Sequence, residues 1–132
     1  MKSEESAIRG VLEEWARATR EGRQDDVLAN HLDDLVIFDV LPPMKYESAA
    51  AYRESWDGWQ PDAQGEMRFE LEGLSITAGD EVGFAFGLLQ CGGTLPGGKT
   101  FRDTVRVTFC LRKQSGRWKV AHQHVSKPYG QG

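Results

Sequence analysis

Residues 116–128 read GRWKVAHQHVSKP, and apolar and polar side chains alternate along most of this segment. Alternation with a period of two is typical of a β-strand whose two faces meet different surroundings. If the side chains alternate without interruption, one face carries Trp118, Val120, His122, His124 and Ser126. The other face carries Lys119, Ala121, Gln123 and Val125. The first face changes from bulky and apolar to polar, as the wall of a cup with a packed floor and a polar mouth would. We therefore predict that both imidazoles project into a hollow.

Three further extended segments precede this strand and are separated by turn sequences. The segments are Met67–Thr77, Val82–Cys91 and Thr100–Arg112. The intervening stretches, Ala78–Asp80 and Gly92–Gly98, contain the glycine, proline and aspartate residues that favour turns. Consecutive strands joined by such connections predict an antiparallel meander that ends in the strand Arg117–Ser126, which follows the turn Gln114-Ser115-Gly116.

The strand Thr100–Arg112 has two partly apolar faces. One carries Val105, Val107, Phe109 and Leu111, and the other carries Thr104, Arg106, Thr108 and Cys110. Because neither face is plainly suited to solvent, we infer that one packs on helices and the other on a partner subunit. In Val82–Cys91 the small residues Gly83, Ala85 and Gly87 alternate with larger ones, and small residues let a second surface approach closely.

The beginning of the chain predicts an amphipathic helix. Its apolar stripe follows the i, i+3, i+4, i+7 spacing and consists of Ile8, Val11, Leu12, Trp15 and Thr19. Ser3 is a candidate N-cap, Glu4 and Glu5 suit the positive end of the helix dipole, and Gly22 is a candidate stop.

Two shorter helices and a strand are predicted next. The second helix begins at Asp25, carries Val27, Leu28 and Leu32 inward, and ends at Asp33-Asp34, so His31 lies on a short helix at the surface or in packing. Leu35–Val40 is rich in branched and aromatic residues and predicts a strand. A third helix, Ser48–Trp56, places Tyr52 and Trp56 on one face at i, i+4. Helices followed by long strands predict an α+β domain with helices on one face of a curved sheet.

The composition restricts the possible functions. The chain has 132 residues, enough for one domain over residues 1–132, and its formal charge of -4 includes no block of like charges. We therefore expect no nucleic-acid or membrane partner. The N-terminal residues Met1–Glu5 lack the apolar region of a secretory signal, and Cys91 and Cys110 have no metal-type spacing. These features predict a reduced, cytoplasmic setting.

The chain resembles the SnoaL-like branch of the nuclear transport factor 2-like superfamily. The resemblance rests on the leading amphipathic helix, VIFDVLPP at 36–43, YRESW at 52–56, and Arg106-x-Thr108 followed by 116–128. It implies a cone-shaped α+β barrel, with N-terminal helices on the concave face of a curved mixed or antiparallel sheet, a pocket between them, and a homodimer. Relatives of this kind include ketosteroid isomerases, polyketide cyclases, dehydratases and members without demonstrated activity.

The same resemblance assigns candidate residues. Asp39 lies near the position at which isomerase-type members carry a carboxylate base, at the end of the first strand. His122 and His124 match the histidine positions of uncharacterised SnoaL-like members, and Arg106 matches their inward arginine. An aspartate can act as a general base, a neutral imidazole can polarise a carbonyl, and a guanidinium can hold developing negative charge.

Each candidate has a purely structural alternative. Asp39 could pair with Arg106 or cap the Pro42-Pro43 loop, and one histidine could be satisfied within the core. The His122-x-His124 step could present two nitrogens to a metal, with Asp39 as the third ligand. A catalytic zinc site generally needs three protein ligands, and no further Cys or His spacing in the sequence supports such a site, so we expect no metal. We also expect no redox cofactor.

The sequence therefore predicts a small-molecule pocket protein. If it is an enzyme, we expect proton abstraction next to a carbonyl, leading to isomerisation, cyclisation or dehydration of a small apolar or polyketide-like substrate. The predicted catalytic residues are Asp39, His122 and His124, and the predicted ligand-binding residues are Arg106, Tyr52, Trp56, Phe86 and Trp118. The alternative is a non-catalytic ligand-binding or dimerisation module with a closed Asp39–Arg106 ion pair. In either case we expect a homodimer that pairs through the outer face of the long strands.

Overall fold

Three helices and five strands make up the computed structural model, which describes residues 3–40, 42–55, 68–94 and 98–129. In chain order the elements are α1 (Glu4–Glu21), α2 (Gln24–Val27), β1 (His31–Phe38), α3 (Ala49–Ser55), β2 (Arg68–Ala78), β3 (Val82–Thr94), β4 (Thr100–Gln114) and β5 (Arg117–Ser126). None of the helices in these ranges is both long and apolar enough to cross a bilayer.

Helix α1 forms as its sequence predicts. Ile8, Leu12 and Trp15 are buried along one stripe. The hydroxyl of Ser3 accepts a hydrogen bond from the backbone N–H of Ser6 at 3.1 Å and so caps the first turn. Gly22 ends the helix with φ of 73°, a left-handed conformation that glycine adopts without strain.

The region after α1 differs from the prediction. Helix α2 spans only Gln24–Val27, and Asp33-Asp34 lie inside β1 rather than ending a helix. His31 is therefore the first residue of a strand, and it is buried. The reason is a long-range contact, because the backbone N–H of Val120 donates to the carbonyl of Asn30 at 2.8 Å and His31 pairs with Val120. Local periodicity carries no information on such a contact.

The five strands form one mixed sheet in the order β1-β5-β4-β3-β2. The predicted meander is confirmed, because β2, β3, β4 and β5 pair antiparallel in sequence order. Strand β1 pairs in parallel with β5, and an isolated bridge between Ile37 and Tyr46 lies next to it. The ends of β1, β3 and β5 and the start of β4 are thereby brought to one end of the sheet.

Among the described residues, helices pack on one side of the sheet and not on the other. We call the side on which α1 packs the helix face; its buried side chains in β3 and β4 are Ala85, Leu89, Val105, Val107, Phe109 and Leu111. We call the other side the open face; its exposed side chains in the same strands include Phe84, Phe86, Leu88, Thr104, Arg106 and Thr108. The division of β4 into these two sets is the predicted one. A Cβ at Gly83 would lie 3.0 Å from Ile8, so the small residues of β3 do admit a close neighbour, which at this position is α1.

A β-bulge in β5 reverses the predicted faces of its second half. Cys110 pairs with His122 and Leu111 pairs with Val120, so Ala121 is an extra residue on β5. Trp118 and Val120 are buried on the helix face, as are Gln123 and Val125 beyond the bulge. His122, His124 and Ser126 therefore belong to the open face. The prediction that they share a face with Trp118 is wrong, because one inserted residue shifts every later side chain to the other side.

Candidate functional site

Asp39 lies directly after β1, at the end of the sheet toward which both β1 and β5 run. It follows the buried Ile37 by two residues, so strand alternation directs its side chain to the same side. The carboxylate is half-buried, and its Oδ1 accepts a hydrogen bond from the backbone N–H of Val40 at 2.7 Å. Its charge contributes to the raised pKa of Cys91, which places it within electrostatic reach of a thiol on β3.

Cys91 and Asp103 are paired residues of β3 and β4 on the helix face, next to Phe69 of β2. Burial, together with the negative charges of Asp103 and Asp39, raises the pKa of the Cys91 thiol to about 11. Asp103 Oδ2 accepts from Lys127 Nζ at 2.8 Å. This end of the sheet thus gathers two carboxylates and a protonated thiol. Alternation extended by two residues from Leu89 and Val105 identifies Cys91 and Asp103, which the sequence analysis did not name as site residues.

Aromatic side chains cover part of the same side. Tyr52 of α3 meets Tyr46 edge to face, with ring centroids 5.2 Å apart, and both pack against the core. Trp15 contacts Phe69 and Phe109 in the same geometry, at 5.1 Å and 5.2 Å. Trp56, the predicted neighbour of Tyr52, lies outside the described residues.

The other two aromatic residues predicted to bind the ligand, Phe86 and Trp118, do not lie beside Tyr52. Phe86 lies on the open face and is 49% exposed. Trp118 is buried at the start of β5, where its Nε1 donates to Glu4 Oε2 at 3.0 Å and so ties the hairpin to α1. Lys113 Nζ donates to the same oxygen at 2.8 Å, and these two donors lower the pKa of Glu4. Trp118 therefore packs the far end of the core, away from Asp39.

His122 and His124 stand on the open face beside Phe38. Their ring centroids lie 4.9 Å and 5.3 Å from that of Phe38, and 6.3 Å from each other. His122 Nδ1 donates to the carbonyl of Val36 at 2.7 Å. The two imidazoles are together, as predicted, but on the side of the sheet opposite Asp39.

Arg106 also lies on the open face and is exposed, so the prediction of an inward arginine is wrong. Its Nε donates to Ser126 Oγ at 3.2 Å. Among the described residues Asp39 has no ion pair, and the predicted Asp39–Arg106 pair is not formed. The physical reason is alternation along β4, which sets Arg106 opposite the buried Val105 and Val107.

The core contains a polar pair that the sequence analysis did not anticipate. His31 Nε2 lies 3.3 Å from Gln123 Oε1, and Gln123 is only 1% exposed. With the amide oxygen as acceptor, Nε2 carries the proton, and Nδ1 has no hydrogen-bond partner within the described ranges. Burial lowers the pKa of His31 to about 4. A single glutamine between two histidines leaves no periodic signal that would have marked it as a core residue.

A metal centre was one alternative for the two histidines. In the part of the chain that the structure describes, no group of three or more His, Cys, Asp or Glu side chains is arranged to hold a metal ion. In particular, the sheet separates Asp39 from His122 and His124.

Comparison with known proteins adds a family and a set of related folds. A family model described as the SnoaL-like domain matches residues 8–130. The chain is 30% identical to an NTF2-like protein of unknown function from Pseudomonas putida KT2440; the match covers 95% of this chain and 87% of that one, with a TM-score of 0.83. No curated protein matches the chain.

Two more distant structures are similar in fold alone. A ketosteroid isomerase-like protein from Erwinia carotovora atroseptica SCRI1043 is 18% identical, with 97% of this chain and 100% of that one covered and a TM-score of 0.79. A putative calcium/calmodulin dependent protein kinase II association domain from Xanthomonas campestris is 17% identical, with 98% and 91% covered and a TM-score of 0.80.

Proposed function

The chain belongs to the SnoaL-like domain family, and from that premise we propose that it binds a small apolar or polyketide-like molecule on the helix face, beside Asp39. There it catalyses proton transfer next to a carbonyl, in an isomerisation, cyclisation or dehydration. The observation that carries this proposal is Asp39, a half-buried carboxylate that forms no ion pair with any described residue.

Asp39 is the general base in this proposal. Its Oδ1 is already occupied by the N–H of Val40, so Oδ2 is the oxygen available to a substrate proton. When the C–H bond next to the carbonyl breaks, the proton passes to Asp39 and the electron pair spreads to the carbonyl oxygen. The carboxylic acid then returns the proton to carbon or to a leaving group. A positioned base of this kind typically accelerates such a step by about 10²–10⁴-fold.

The surroundings of Asp39 favour a flat apolar ligand. Tyr46 forms a β-bridge with Ile37, two residues before Asp39, and its ring meets Tyr52, while Phe69 is the β2 partner of Cys91. Aromatic rings offer large apolar surface at low entropic cost, and pockets for apolar ligands usually combine such surface with a few polar groups.

The predicted roles of His122 and His124 as acid or polarising group stay predictions. Both rings lie on the open face, so a ligand that contacts Asp39 from the helix face does not meet them within one chain. We therefore assign the proton transfer to Asp39.

The test uses 2-tetralone, a flat ketone with acidic protons next to its carbonyl. Exchange of these protons in D2O is followed by proton NMR with wild-type protein, Asp39→Asn and Asp80→Asn, a control aspartate in the exposed turn between β2 and β3. We expect wild type and Asp80→Asn to accelerate exchange above buffer and Asp39→Asn to lose about 100-fold of that acceleration. Equal rates for wild type and Asp39→Asn would remove the base from this proposal.

A second candidate function, a dimerisation module, is supported by the open face. Phe84, Phe86 and Leu88 are 45%, 49% and 40% exposed, and the first two rings are stacked with centroids 6.4 Å apart. Five strands at roughly 4.8 Å spacing and about ten residues at roughly 3.3 Å each give a face of about 800 Å². Each partner of a stable complex buries about that area.

We propose a second copy of this chain as the occupant of the open face. Arg106, Leu88 and Glu72 occupy one row across β4, β3 and β2, so the face carries both signs of charge, as a surface that meets its own copy requires.

Sedimentation velocity of the full chain at micromolar concentration tests this second candidate. We expect a dimer for wild type and a monomer for Phe86→Glu, because a carboxylate in the centre of the face would be buried without a partner. Met44→Glu, at an exposed apolar residue outside the sheet, is the matched control and should stay dimeric. A monomeric wild type would contradict the pairing.

A further inference from the structure

The two open-face histidines lie inside the apolar patch through which we propose that two copies pair. His122 aligns with Cys110 and Phe84 in one row across the sheet, and His124 aligns with Thr108 and Phe86 in the next. His124 is exposed and, within the described ranges, forms no side-chain hydrogen bond, so its ring is available to a second surface.

Among the residues that the structure describes, no carboxylate is paired with or adjacent to His124 on the open face. On β1 its neighbour is Phe38, and on β4 the paired residue is Thr108. The neighbouring charged or titratable side chains described on the face are Arg106, His122 and Cys110, and none of them is a carboxylate.

The described carboxylates of this side lie farther away. Glu70 and Glu72 are on β2, beyond β4 and β3, and Glu72 already accepts a hydrogen bond from Gln90 at 2.9 Å. Asp34 is exposed on β1, four residues before Phe38 and nearer to His122 than to His124. The open face of β4 and β5 carries further charged side chains that are positive, among them Arg102, Arg112 and Lys119.

We infer that His124 makes the proposed self-association of this chain dependent on pH, with paired copies at neutral pH and separate copies in mild acid. A two-fold interface sets each face against its own copy, so His124 of both chains is buried among aromatic side chains. A neutral imidazole tolerates this burial. On this burial an imidazolium loses its hydration, has no carboxylate paired with it among the described residues of its own chain, and lies on the same face as Arg106, so protonation favours the separated, hydrated state.

The sign of the effect follows from linkage. Because the separated chain binds the proton more readily than the pair does, lowering the pH shifts the equilibrium toward single chains. Histidine is the side chain whose charge ordinarily changes between about pH 5 and 8, so the shift falls in a range in which the fold can be monitored independently. This inference rests on the proposed pairing through the open face and adds its regulation.

The experiment measures the dimer dissociation constant by sedimentation equilibrium at about pH 7.5 and about pH 5.5, with circular dichroism at both values to verify folding. For wild type we expect the dimer dissociation constant to be at least about tenfold lower at the higher pH than at the lower one. For His124→Gln we expect nearly equal dissociation constants at the two pH values. His31→Gln is the matched control, since His31 is buried on the other side of the sheet and should leave the pH dependence unchanged.

The outcomes separate the inference from its premise. A wild type that is monomeric at both pH values overturns the open-face pairing itself. A dimer with the same dissociation constant at both values leaves the pairing intact and overturns the pH dependence. A pH dependence that persists in His124→Gln overturns the assignment to this residue.

Discussion

The imidazole of His31 and the side-chain amide of Gln123 meet in the core, with Nε2 of the histidine 3.3 Å from Oε1 of the glutamine. The pair connects the first residue of β1 with the half of β5 that follows the bulge. Gln123 reaches the core because the bulge at Ala121 turns its side chain to the helix face. A buried polar pair is stable only while each partner satisfies the other, so both residues should be sensitive to change.

The first prediction concerns the pH dependence of folding. The folded-state pKa of His31 is about 4, below the ordinary value of 6.5, because burial disfavours the charged ring. Between these values the unfolded chain binds a proton that the folded chain does not, so stability falls as the pH falls. The contribution lost by about pH 4 is about 3 kcal/mol.

Urea unfolding of wild type and His31→Gln across this pH range measures that contribution. The difference between their free energies of unfolding should shrink as the pH falls, because the glutamine variant has no such proton to bind. A constant difference for His31→Gln would show that this histidine is not held neutral by the core.

The second prediction tests the reversed faces of β5. Gln123→Ala removes a buried side chain and leaves His31 without its partner, so it should lower the free energy of unfolding by about 2–4 kcal/mol. His124→Ala, one residue later, should change it by less than about 1 kcal/mol. Chemical denaturation measures the free energy of unfolding of both variants. A larger decrease for the histidine variant would place His124 in the core instead.

The third prediction concerns the position of Asp39. Because the pKa of Cys91 is raised to about 11 from 9.0, its thiolate fraction near neutral pH should be about 100-fold below that of an ordinary cysteine. In a Cys110→Ser background, iodoacetamide should therefore react slowly with Cys91. Asp39→Asn should accelerate the reaction by removing a negative charge, whereas Asp80→Asn should not. Identical rates for the two variants would contradict the placement of Asp39 on the helix face.

The fourth prediction concerns the contact between α1 and the sheet. A Cβ at Gly83 would lie 2.9 Å from the carbonyl oxygen of Thr77 and 3.0 Å from Ile8 Cδ1, so Gly83→Ala should destabilise the fold by about 1–3 kcal/mol. Gly10→Ala is the matched control in α1, where nothing lies within 4 Å, and it should stabilise by about 0.5–1 kcal/mol. Thermal unfolding of the two variants should give shifts of opposite sign.

The sequence by itself determined the α+β class, the first helix with its cap and stop, and the antiparallel meander. These features depend on residues close together in the chain: the stripe of α1, Ser3, Gly22 and the turns between strands. Period-two alternation also divided β4 correctly into its two faces. Local patterns suffice wherever each residue keeps the regular geometry of its element.

Only the tertiary structure decided which side of the sheet the candidate residues occupy. The bulge at Ala121 lies in a strand that pairs with β4 on one side and with β1 on the other, and no local pattern specifies these two registers. One extra residue moved His122 and His124 to the open face and brought Gln123 into the core. The parallel pairing of His31 with Val120 likewise replaced a predicted helix with a strand. Side-chain facing is set by pairing between distant segments, whereas element type is set mainly by neighbouring residues.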